Sequence, residues 1–134
     1  MRTWLNGEFL NKAFSEEEQE KILTTTVSAD KNPEYGTNPG SVVKDRVFLL
    51  SVTEAQKLFA GNAARDWSPT AYASQQVGDL PVPGRNCWLR TPGMDSSMVA
   101  TVNTGGEIFC QGDSCFGGQN NFVRPVIWIE TKPQ

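Results

Sequence analysis

Three cysteines and no histidine set the limits on the chemistry this chain can do by itself. Cys110 and Cys115, spaced C-x4-C around Gly112 and Asp113, can close a small disulfide loop, act as a redox thiol pair, or remain plain thiols between the apolar Phe109 and Phe116. Without histidine, nucleophile activation of the Ser-His-Asp or Cys-His kind is excluded within the chain, and so are zinc sites that need an imidazole. With Cys87 the cysteines are odd in number and too few for a disulfide scaffold, so they leave the compartment undecided. Asp95 and Asp113 lack the alternating oxygen spacing of a calcium loop, and neither metal nor cofactor is expected.

The arginines and aromatics divide into structural and recognition candidates. A guanidinium presents a rigid fork of donors, which suits Arg90 and Arg124 either to an anionic ligand or, as the favoured reading, to loop carbonyls and carboxylates beside a sheet. Trp4, Trp88 and Trp128 lie in apolar segments and are expected in the core. Trp67, Tyr72, Asn86, Gln119, Asn120 and Asn121, together with Tyr35, fall in polar, turn-rich stretches. Stacking faces and amide hydrogen bonds there suit a sugar or a peptide surface, against the plainer reading of solvated loop.

The elements that must position these residues follow from spacing and caps. The apolar positions from Thr3 to Phe14 predict a short helix, weakened by Gly7. Ser15 with Glu18 forms a capping box for a second helix to about Leu23, and Ser51 with Glu54 forms another for a helix to about Ala60. Arg46–Leu50 reads as a buried strand, and Asp30–Gly40, rich in Asn, Pro and Gly, as a long surface loop. Ser68-Pro69 predicts the start of a helix over Thr70–Gln76. Pro81, Pro83 and Gly84 then break the pattern, and strands are expected over 88–90, 98–102, 108–110 and 123–129, with turns at Thr104-Gly105-Gly106 and Gly117-Gly118. Helices first and antiparallel strands last indicate an α+β domain.

A chain of 134 residues fits a single domain over 1–134. Its 38% apolar and 20% charged content is unlike a disordered segment. The net charge of -3, without a basic run, argues against nucleic acid as a partner. No apolar stretch is long enough to insert in a membrane, and Met1 leads into a structural segment without a leader, as at the edge of a larger reading frame.

The segments Arg2-Thr3-Trp4-Leu5-Asn6-Gly7-Glu8-Phe9-Leu10-Asn11, Val47-Phe48-Leu49-Leu50-Ser51, Trp88-Leu89-Arg90-Thr91-Pro92-Gly93 and Val123-Arg124-Pro125-Val126-Ile127-Trp128-Ile129 resemble, in order and over nearly the whole chain, a bacterial domain of unknown function found in secreted and surface-associated proteins. That domain is similar to the C-type lectin-like group that includes the formylglycine-generating enzyme. The resemblance implies a loop-rich α+β, C-type lectin-like fold, with two or three short helices preceding a small, mainly antiparallel sheet. Family members carry further strands before the Arg-Thr-Trp-Leu-Asn segment; their absence here would leave a sheet edge suited to homodimerisation. The cysteine pair would fall about where the formylglycine-generating enzyme holds its redox cysteines. The Glu-Pro-Asn or Gln-Pro-Asp pattern of calcium-dependent sugar binding is missing. The expected function is therefore a non-catalytic binding module, extracellular or on a cell surface, for a glycan or protein ligand. A thiol oxidase of the formylglycine-generating type and a purely structural assembly domain are the alternatives.

Overall fold

The computed structural model describes residues 1–77, 86–115 and 121–131. The chain forms two compact units, each discontinuous in sequence: Met1–Ala29 with Gly40–Leu49 and Pro125–Gln134, and Asp30–Pro39 with Leu50–Arg124. Among the described residues no helix is long and apolar enough to cross a membrane.

In the first unit the helix expected at the N-terminus is present as an unbroken run: α1 (Arg2–Trp4), a π-helical turn (Leu5–Phe9) and α2 (Leu10–Ala13). Leu5 and Leu10 take its buried face. Trp4, expected in the core, is instead 42% exposed and packs on Phe9, with ring centroids 5.4 Å apart. The π turn carries Asn6, whose carboxamide replaces a strand partner. Its Oδ1 accepts the N–H groups of Arg46 and Val47, each at 2.9 Å, and its Nδ2 donates to the carbonyls of Val47 (2.9 Å) and Arg2 (3.1 Å). Arg2 adds a bidentate pair to Asp45.

The capping box of Ser15 and Glu18 opens α3 (Glu16–Glu20). The helix stops short of Leu23 because the C-terminal segment recruits the next backbone groups. Ile22 bridges Ile129, the Leu23 N–H donates to Trp128 at 2.8 Å, and the Glu130 N–H donates to Lys21 at 2.9 Å. Strand β1 (Thr25–Val27) pairs antiparallel with β2 (Val43–Asp45). The strand expected over Arg46–Leu50 contracts to the single bridge Phe48 to Val126, since Asn6 already occupies the N–H groups of 46 and 47. The expected terminal strand is likewise a set of isolated bridges at Phe122, Val126 and Ile129, with Pro125 unable to donate. Trp128, also expected in the core, is 52% exposed; its carbonyl, not its ring, ties the segment down.

The second unit holds α4 (Val52–Leu58), α5 (Asn62–Arg65), α6 (Ala71–Val77) and an antiparallel sheet of β3 (Asn86–Pro92), β4 (Met98–Asn103) and β5 (Ile108–Ser114), with β4 central. Val52 and Ala55 from α4 pack with Cys87, Leu89, Ala100, Val102, Cys110 and Phe122 as its core. The Thr70 hydroxyl accepts the Ala73 N–H at 3.1 Å, so Thr70 caps α6 where Ser68 was expected to do so.

Both outer strands bulge opposite the same residue. The register passes from Trp88↔Thr101 to Pro92↔Val99 on one side and from Thr101↔Phe109 to Val99↔Asp113 on the other, which leaves Leu89 to Thr91 and Cys110 to Gly112 facing Ala100. Gly112, at φ +80, makes the second bulge feasible: a Cβ there would lie 2.2 Å from the Val99 carbonyl oxygen. Carbonyls from both outer strands are gathered by Asn32, which is 1% exposed. Its Nδ2 donates to Cys110 (2.7 Å) and Pro92 (2.9 Å), while its Oδ1 accepts from the N–H groups of Glu34 and Tyr35. The stretch read as a surface loop is therefore anchored through its buried asparagine. The result is a small α+β domain in which a few short helices accompany two small antiparallel sheets.

Candidate functional site

The Trp-Leu-Arg-Thr-Pro-Gly segment works by fastening α4 to the sheet. Ser51 and Glu54 form a capping box at the start of α4. The Arg90 guanidinium donates to Glu54 and lies 3.9 Å from Asp30, which in turn accepts the Ser51 hydroxyl at 2.9 Å. The Thr91 hydroxyl accepts the Val52 N–H at 2.9 Å, so the strand satisfies one helix-start donor through Thr91 and holds the Glu54 carboxylate through Arg90. Gly93 follows because a Cβ would come within 2.3 Å of the Gln111 carbonyl oxygen. Trp88 is half-buried between Cys87 and Leu89, both of which face the core. Among the described residues Arg124 reaches the Arg65 carbonyl, at a long 3.5 Å.

Of the states left open for the C-x4-C pair, a closed disulfide is not formed. Cys87, Cys110 and Cys115 are all free; Cys87 and Cys110 are buried while Cys115 is exposed. Burial pushes the Cys87 thiol up to about 12, with the charge of Arg124 acting the other way. Burial also raises Cys110, and the Glu34 carboxylate adds to this by its charge and by a hydrogen bond. Both buried thiols are thus held protonated and poorly nucleophilic. Among the described residues no three His, Cys, Asp or Glu side chains are grouped to hold a metal ion.

The recognition candidates separate. Trp67, expected on an exposed loop, is half-buried: its indole N–H donates to the Asn103 carbonyl at 2.7 Å, and its ring meets Phe122 edge-on at 5.6 Å. Tyr72 is 73% exposed on α6, and Tyr35 is exposed beside Asn32. Gln119 and Asn120 lie outside the described residues. Asn86 and Asn121, thirty-five positions apart, do meet. The Asn86 Nδ2 donates to Asp113 Oδ2 at 2.9 Å, the Asn121 Nδ2 donates to the same oxygen at 2.8 Å, and the Asn86 N–H donates to Asn121 Oδ1 at 3.3 Å. Among the described residues Asp113 Oδ1 accepts no hydrogen bond, so a half-buried carboxylate is oriented by two amides with one oxygen left over. Asp95, the other acid weighed for metal binding, is occupied locally: the Ser97 hydroxyl and then its N–H hold it below the usual carboxylate range.

The family model of a domain of unknown function, DUF6273, matches residues 1–131. The chain belongs to the DUF6273 family. No curated protein and no solved structure gives a significant match. In this DUF6273 domain the segments that carry the resemblance contain Asn6 and Thr91, which close backbone groups, Gly93, which lets two strands approach, and Arg90, which pairs with the Glu54 carboxylate. Neither Asn6 nor Asn32 stood out from composition or spacing. The only signal at Asn32 was its place before Pro33 in a turn-rich run, which marks a turn and says nothing of burial.

Proposed function

We propose that this DUF6273 domain is a non-catalytic recognition module, presented on a secreted or surface protein and binding a polyhydroxylated ligand such as a glycan. The observation that carries this reading is the convergence of Asn86 and Asn121 on Asp113. Planar amides and a carboxylate fixed at hydrogen-bonding distance offer donors and an acceptor at defined directions, which is what hydroxyl-rich ligands require. Exposed Tyr72 supplies a ring face for stacking. We further read the domain as C-type lectin-like, because an aromatic-Leu-Arg strand precedes a hairpin and a terminal segment with an arginine. The buried, unpaired Cys110 lends the thiol-oxidase alternative no support.

The test is a binding screen of the purified chain against glycan and cell-surface protein arrays, repeated with Asp113→Ala and Tyr72→Ala. Glycan hits lost on Asp113→Ala, with the fold intact by circular dichroism, support the reading. Hits confined to proteins would replace the ligand class, and glycan binding indifferent to Asp113 would remove the site. Trp67→Ala is unsuitable as a probe, since it cuts into the core cluster.

A further inference from the structure

Asn6 is followed by Gly7, the pairing in which a side-chain amide is most open to attack by the next backbone nitrogen, because glycine offers that nitrogen no steric cover. In the folded chain the Asn6 carboxamide is committed at both ends, to the N–H groups of Arg46 and Val47 and to the carbonyls of Val47 and Arg2. The helical run also holds the residues on either side of this pair in helical conformation, from Leu5 at φ -59, ψ -43 to Phe9 at φ -61, ψ -50. Gly7 itself has no packing reason to be glycine: its φ is not positive, and a Cβ would meet nothing within 4 Å.

We propose that Asn6-Gly7 is a site of irreversible self-modification, blocked in the closed N-terminal helix and released when that helix opens. On opening, the Gly7 nitrogen attacks Asn6 Cγ. The new N–Cγ bond replaces Cγ–Nδ2, and the amide leaves as ammonia with the proton from the Gly7 N–H. Water then adds to one carbonyl of the cyclic imide and breaks its C–N bond, giving aspartate or isoaspartate; no oxidant or reductant is involved. The product cannot restore the clamp. Oxygen now stands where Nδ2 donated to the Val47 and Arg2 carbonyls, so acceptor faces acceptor across distances of 2.9 and 3.1 Å. Each opening therefore risks a lesion that keeps the segment open.

The experiment ages the intact chain in buffer and in urea sufficient to unfold it, and quantifies asparagine, aspartate and isoaspartate at position 6 by peptide mapping. Conversion should be at least about ten-fold slower in the folded protein, because it tracks the population of the open form. Gly7→Ala, which fits the open space at this position, should slow conversion in urea while leaving the fold intact. The aged product, separated by charge, should melt below the unmodified chain, as should Asn6→Asp. Equal rates in buffer and urea, or an aspartate form as stable as the parent, would overturn the proposal.

Discussion

Asn32 shows how one side chain can decide whether two irregular strands hold together. Beside the bulges that flank Ala100, the carbonyls of Pro92 and Cys110 both take their donor from Asn32, and a buried carbonyl without a donor is costly. Replacing Asn32 by Ala orphans those carbonyls and the N–H groups of Glu34 and Tyr35 together, and should cost about 2–4 kcal/mol in urea denaturation. Asn32→Asp should be worse, because it places acceptor against acceptor. An Ala variant within experimental error of the parent would show that the loop finds other donors. The buried Cys87 makes a second residue-level prediction. Burial on folding pushes its thiol from the ordinary 9.0 up to about 12. Below pH 9 both states keep the proton and stability is unaffected; above it the unfolded chain ionises first, so stability falls as pH rises from about 9 towards 12. Denaturation midpoints measured across that range should decline, and Cys87→Ala should flatten part of the decline.

At the scale of elements, the bulge in β5 depends on a backbone conformation that only glycine adopts without strain. Gly112→Ala combines φ +80 with a Cβ placed 2.2 Å from the Val99 carbonyl oxygen. The conformation alone should cost about 1–3 kcal/mol, and the exchange of the β4 and β5 amides should accelerate with it; an unchanged exchange pattern would mean that β5 can pair without the bulge. Two helix starts were legible in the sequence because capping is local: Ser15 with Glu18 and Ser51 with Glu54 both act as read, while the cap of α6 falls on Thr70 instead of Ser68. Helix and strand ends were less legible because they are set by distant partners. The second helix ends at Glu20, where the C-terminal segment takes over the backbone of 21–23. Arg46–Leu50 has the composition of a strand, yet its first N–H groups belong to Asn6. The candidate site was half legible in the same sense: Asn86 and Asn121 stood out as loop amides, while their meeting on Asp113 depends on long-range pairing that no local pattern reveals.

For the molecule as a whole, the order of residues along the chain is not the order of assembly. The unit containing the N-terminus draws on three separate stretches. Its C-terminal stretch supplies the partners for the N–H groups of Leu23 and Phe48, through the carbonyls of Trp128 and Val126. Contacts this far apart in sequence close late and stabilise only once both ends are present. Removing the chain after Arg124 should therefore abolish hydrogen-exchange protection at Leu23 and Phe48, although both residues remain. The amides of Trp88 and Asn103, bonded to Phe122 and Glu107 within the stretch from Leu50 to Arg124, should keep theirs. Loss at all four positions would mean that the second unit does not hold its fold without the first. Retention at Leu23 and Phe48 would mean that the bridges at Val126 and Ile129 add little to the unit they close.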